Sequence, residues 1–309
     1  MSAPRGAVLA AFAAVYVIWG STYLGMRFAV ETLPPFAVSG VRYFCAGVLL
    51  WIVARMVGKR DEAPVPWRGH AVVGTLLTLG NASVAVAVRT IPSGVASLLV
   101  AMTPCFMVLL EWWRRPAHPP RGGVVAGLVL GLAGIAVLVG PGWLGAGRID
   151  PVGAGVVLAG SVAWSTGSIY SRTLPRHASP WRTSAIQMLC GGAAVTVIAA
   201  LLGEFADFDP GAASLRSVLA LVYLVLVGSV IGYSAYMYLL GVTSAARAST
   251  YAFVNPVVAV LLGALFAGEA LTSRIVLAGG IIVAAVALIT LHGGDRRAAV
   301  ARVEAGGVS

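Results

Sequence analysis

Residues 9–27 read LAAFAAVYVIWGSTYLGMR, and residues 154–172 read AGVVLAGSVAWSTGSIYSR. Set one above the other, Trp19 falls on Trp164 and Arg27 on Arg172, an offset of 145. The same offset carries Pro35, Cys45 and Gly58 onto Pro180, Cys190 and Gly203. An offset of 152 carries Gly80, Ser97, Pro104 and Gly127 onto Gly232, Ser249, Pro256 and Gly279, so the seven extra residues lie in one loop around Glu204 to Ala213. Each copy holds five apolar spans. Five is odd, so the second copy is expected to enter the membrane from the side opposite to the first. Inverted repeats of this kind build alternating-access transporters.

Composition agrees with that reading. A chain of 309 residues that is 59% hydrophobic and 10% charged, with mean hydropathy +0.91, has too much apolar surface for a water-soluble core. About 20 apolar residues in helix cross the roughly 30 Å hydrocarbon layer. Ten such spans are expected, at 7–27, 36–57, 69–90, 92–113, 122–141, 152–173, 181–203, 216–240, 246–267 and 272–292. The expected fold is therefore an all-α integral membrane protein, ten transmembrane helices in two inverted five-helix repeats. The repeats cover 7–141 and 151–293, and the polar, Gly/Ala-rich residues 294–309 are expected to form a disordered cytoplasmic tail.

The net charge of +10 is a topology signal. Alternate connections on one side carry 15 basic residues, among them Arg55, Arg68, Arg114, Arg172, Arg247 and Arg296. The other side carries five, Arg27, Arg89, Arg148, Arg216 and Arg274, and Arg42 lies inside the second span. By the positive-inside rule both termini are expected in the cytoplasm, and nucleic-acid binding is not expected. Cys45, Cys105 and Cys190 lie in apolar spans without metal-type spacing and read as packing residues. His70, His118, His177 and His292 fall near cytoplasmic span ends and read as surface histidines. No metal or cofactor is expected. Connections are short, with no His/Asp cluster and no Gly-rich phosphate loop, which weighs against a polytopic membrane enzyme. A pore or scaffold remains the other competing reading.

Trp19-Gly20-Ser21-Thr22-Tyr23, its counterpart Trp164-Ser165-Thr166-Gly167-Ser168, and Asn255-Pro256 followed by Gly268-Glu269-Ala270-Leu271-Thr272 resemble the drug/metabolite transporter superfamily. The nearest likeness is to its EamA-type, ten-helix bacterial exporters, over residues 8–292. The resemblance implies a bacterial inner-membrane exporter of small metabolites or drugs. It also implies a pseudosymmetric bundle whose spans one, three, four, six, eight and nine surround a central cavity. The halves match unequally, since Gly268 and Glu269 correspond to Pro116 and Ala117.

Several residues are candidates for the transport path. Pro104 and Pro256, with Gly20 and Gly167, mark places where helices can bend, and Thr103 and Asn255 precede the prolines. Trp19 and Trp164 are expected to line the two ends of a path, with Ser21 and Tyr23 on the face of span one. Arg42 needs a cavity or a partner at its depth and is a candidate for a substrate carboxylate. Tyr233, Tyr236 and Tyr251, with Asn81, Ser97, Ser249 and Asn255, would complete a mostly neutral aromatic site for an amphipathic solute. Glu269 is expected to orient the turn into span ten. Gly123, Gly127 and Gly131 form a small-residue stripe suited either to packing inside the monomer or to a homodimer.

Overall fold

The computed structural model describes residues 4–57, 66–114, 116, 119–120, 122–140, 149–175, 179–206, 208–243, 245–248 and 250–306, with the backbone alone for 57, 245, 246 and 291–306. The described residues are helical with no strand. The helices are α1 Arg5–Ala29, α2 Pro35–Val57, α3 Trp67–Ala87, α4 Ser93–Val100, α5 Thr103–Arg114, α6 Gly122–Val139, α7 Pro151–Ser171 and α8 Pro180–Leu201. They continue with α9 Leu215–Tyr223, a π-helical stretch Leu224–Ile231, α10 Gly232–Val242, the short α11 Ala245–Ala248, α12 Tyr251–Ala267 and α13 Ser273–Gly306. Taking α4 with α5, and α9 with α10, nine stretches among the described residues are long and apolar enough to cross a membrane; α12, at 17 residues, is the shorter tenth.

Local chemistry sets the helix ends. Proline opens α2, α7 and α8, where its missing N–H has no intrahelical partner to lose. Asp150 caps α7 by accepting from the N–H of Val152 and Gly153, and Ser179 and Ser214 cap α8 and α9. The Thr90 hydroxyl, with those two N–H groups, holds the Asp150 carboxyl below the usual carboxylate range. Gly268, at φ 62°, ends α12 in the left-handed conformation. Pro104 cannot donate to the Val100 carbonyl, so span four breaks at Ala101–Met102 and the Thr103 hydroxyl takes that carbonyl at 2.6 Å. The last helix differs from the expected disordered tail, because it runs on to Gly306. Residues 295–306 are rich in Ala and Arg and lack proline, a composition that favours helix.

The principal helix pairs are α2 with α8, α3 with α7 and α8, α6 with α13, and α1 with α10 and α12. Small residues allow the closest crossings, as bilayer packing requires. A Cβ on Gly74 would stand 1.9 Å from the Gln187 carbonyl oxygen, so α3 and α8 touch backbone to backbone. Gly127 and Gly131 of the small-residue stripe face Ile289 and Ala285 of α13 and Met102, and are thus used inside the monomer.

Because the chain reverses at each connection, one face of the bundle holds both termini and the other, the far face, holds the alternate connections. The far half is packed with apolar side chains, including Met26, Val30, Val84, Val88, Ile91, Val95 and Leu98. Bonds between segments far apart in sequence tie its rim. Glu204 accepts from the N–H of Phe36 (3.1 Å) and Ala37 (2.9 Å) at the start of α2. The Ser217 hydroxyl donates to the Phe28 carbonyl, and Arg216 pairs with Glu31. Arg274 donates to the Val137 and Gly140 carbonyls at the end of α6.

Candidate functional site

A cavity of about 570 Å³ occupies the middle of the bundle. Towards the face bearing the termini its lining reaches Ser168, Ser184 and Tyr251, close to helix ends, and Thr290 of α13. Towards the far face it stops at Met26, Val84 and Ser97, under the apolar seal. Spans one, three, four, six, eight and nine all contribute, as the resemblance implies. Spans two and seven join them through Arg42, Tyr43, Ser184, Gln187 and Met188, and span ten through Thr290.

Trp19, Tyr23, Arg42, Asn81, Ser97, Trp164, Tyr233, Tyr236, Tyr251 and Asn255 all line this cavity, with Pro104 and Pro256. Ser21 does not; its hydroxyl bonds to the Ile18 carbonyl and to Tyr223. Ser249 lies outside the described residues. Gly20 and Gly167 pack against neighbouring helices, Gly20 on Val258 and Asn255 and Gly167 on Leu76.

Three aromatic rings meet, Tyr251 edge to face with both others and Trp19 tilted against Tyr236. Trp19 lies 4.8 Å from Tyr251 and 5.1 Å from Tyr236, and the two tyrosines are 5.7 Å apart. The indole N–H of Trp19 donates to the Gly228 carbonyl at 3.2 Å. A side chain on Gly232 would strike Trp19, just as one on Gly80, its repeat partner, would strike Trp164.

Arg42 is 4% exposed. Its Nε donates to Ser229 Oγ at 3.0 Å and its Nη1 to Asn81 Oδ1 at 3.2 Å, and its guanidinium carbon lies 5.2 Å from the centre of the Tyr43 ring. Gly228 and Ser229 belong to the π-helical stretch, and Ser229 donates in turn to the Leu224 carbonyl five residues back. A π turn inserts one residue into the helical ladder and re-aims its side chains, frequently at functional sites. Hydropathy shows only an apolar run here, so Gly228 and Ser229 escaped the sequence reading, with the pair of small residues as the one local hint.

The prolines behave differently from one another. Pro104 follows a real break, whereas α12 continues through Pro256 without interruption. In the amide orientation that satisfies its neighbours, Asn255 donates to the carbonyls of Tyr251 and of Tyr16 on α1, at 3.2 Å each, so it links two helices.

Two expectations are corrected. His70 is a buried histidine, 2% exposed, with Nδ1 3.2 Å from the Gln187 amide nitrogen, because the tight crossing of α3 and α8 covers it. His118 and His177 lie outside the described residues. Glu269 does not serve its own turn. It reaches across the bundle to accept from the N–H of Ser93 (2.7 Å) and Gly94 (3.1 Å) at the start of α4, and it pairs with Arg27 at 3.1 Å. The positive end of the helix dipole and two free N–H groups make that terminus the better partner.

Among the described residues, nine apolar stretches and a shorter tenth surround a central polar and aromatic cavity, the make-up of a multi-spanning membrane protein. The EamA-like transporter family matches residues 5–140 and, a second time, residues 151–291, and the chain belongs to it. It is 40% identical over 282 residues to "Uncharacterized inner membrane transporter YedA" of Escherichia coli (strain K12), covering 90% of this chain and 89% of that protein. It is 24% identical over 270 residues to "Probable amino-acid metabolite efflux pump" of the same organism, covering 84% and 86%. A solved structure described as "Crystal structure of protein" has the same fold at TM-score 0.58 and 22% identity, covering 94% of this chain and 98% of that one. These relatives bear the names of transporters and not of enzymes.

Proposed function

We propose that this protein is a bacterial inner-membrane exporter that moves small amphipathic metabolites, amino acids or related solutes by alternating access, without chemistry on the cargo. The observation that carries the reading is the one-sided cavity, lined to the face with the termini and sealed towards the far face. The excess of basic residues on the former side supports a cytoplasmic placement of that face, and on this reading the cavity faces inward. The relatives named as inner-membrane transporter and efflux pump support both the location and the direction.

An inverted repeat gives such a cavity a means of switching sides. The double family match and the paired contacts of Trp19 on Gly232 and Trp164 on Gly80 support the repeat. Glu204 and Glu269, both in the second half, hold the starts of α2 and α4 in the first half. Their counterparts by offset, Lys59 and Ala117, carry no carboxylate. Releasing these two contacts is the step that opens the outside.

Flux into liposomes containing purified protein tests the function. The expected result is saturable uptake of one labelled solute class, accelerated by unlabelled solute on the far side. Non-saturating flux without that acceleration would indicate a pore, and silence across a broad panel from folded protein would contradict transport.

A further inference from the structure

The cavity's charge is one-sided as well. Among the described residues, Arg42 is the only formally charged one in the lining, with no Asp, Glu or Lys beside it. Among the described residues the ion pairs are Arg27–Glu269, Arg172–Glu111 and Arg216–Glu31, and none involves Arg42. Burying a guanidinium at membrane depth costs at least a few kcal/mol, and such groups normally meet an opposite charge. Asn81 and Ser229 are neutral acceptors. They occupy one Nη1 and the one Nε donor, leaving three of the group's five N–H bonds, and they cancel no charge.

The surroundings say what would complete the site. Ser229 and Gly228 are adjacent on the π turn; the first holds Arg42 and the second accepts the Trp19 indole N–H, so the guanidinium and the ring trio of Trp19, Tyr236 and Tyr251 flank one segment. We infer that the site takes organic anions: solutes whose carboxylate, or similar planar anionic group, seats on the free N–H groups of Arg42 while an apolar or aromatic body lies against those rings. Nη1 and Nη2 present the parallel pair of donors that a carboxylate accepts. The same field rejects cationic amphiphiles, because no carboxylate in the lining offsets Arg42. This assignment rests on the transporter reading and narrows its cargo.

The test uses the purified full chain in detergent and a matched set of probes: phenylpropionate, indole-acetate and isocaproate, their amides, and phenylpropylammonium, at equal ionic strength with sulfate as counter-ion. Thermal unfolding reports binding as a rise in midpoint. At least one carboxylate should raise it, with its amide and the ammonium compound weaker by about ten-fold or more in apparent affinity. Arg42→Gln should abolish the difference between acid and amide, and Arg42→Lys should keep part of it. Should Arg42→Gln fail to fold, the ranking of acid, amide and ammonium in the unaltered protein still decides. Equal binding of amide or ammonium, no binding by any carboxylate, or an unchanged acid preference in folded Arg42→Gln would overturn the assignment. So would chloride alone giving the full rise, which would place an inorganic ion on Arg42. Carboxylate binding without liposome flux would count against transport and leave the site's chemistry standing. Equal flux of the ammonium probe would do the reverse.

Discussion

Arg42 and its two partners show how much of this protein is decided by single side chains. Asn81 holds one guanidinium N–H at 3.2 Å from a different helix, so Asn81→Ala leaves a charged donor without its acceptor. A loss of about 1–3 kcal/mol is expected, seen as a lower midpoint of thermal unfolding in detergent. Gly74 is the sharper case. Any side chain there meets the Gln187 backbone, which cannot rotate away, so Gly74→Ala should cost about 3 kcal/mol and reduce the folded, monodisperse yield. Much of the lining was legible in the sequence at this scale, because a charge inside an apolar run demands a cavity and because Trp19 and Trp164 recur at a fixed offset. Ser229 was not, since its aim depends on the π turn Leu224–Ile231, which no local pattern of residue types announces.

Among the elements, the helix breaks and helix starts carry the proposed mechanism. Pro104→Ala restores an N–H four residues after Val100, so α4 and α5 can fuse across Ala101–Met102. Flux should fall about ten-fold or more, because binding would then no longer be relayed through that joint. Pro256→Ala acts on a helix that is already continuous, and its effect should be small, within about two-fold. The reverse order of the two variants in the liposome assay would contradict this division of roles. Glu269→Gln removes the charge that holds Arg27 and the start of α4. Glu269 is 6% exposed and Arg27 33%, so the loss is expected near 2–3 kcal/mol, below the full range for a buried pair. The sequence showed Glu269 but assigned it to its own turn. Its partners Ser93 and Gly94 stand 176 and 175 residues away, beyond the reach of any local rule.

For the whole molecule, ten spans and their duplication could be read from the chain because bilayer thickness fixes helix length and an internal repeat leaves fixed offsets. Which helices sit against one another could not, since glycines are spread through most spans and only the crossings themselves show which are used. The sidedness of the cavity was equally invisible, for the pattern of residue types along the spans does not say at which end side chains close over it.

Paired cysteine accessibility reads this sidedness in the membrane. In a background with Cys45, Cys105 and Cys190 replaced by alanine, Ser168→Cys reports the inner reach of the cavity and Val88→Cys the outer seal. With impermeant maleimide applied to each side of oriented vesicles, Ser168→Cys should label from the inside and Val88→Cys should resist from the outside. Glu269→Gln should reverse both together, raising labelling at Val88→Cys as it falls at Ser168→Cys. Labelling of both positions at once, each from its own side and without mutual exclusion, would describe an open pore and contradict the account.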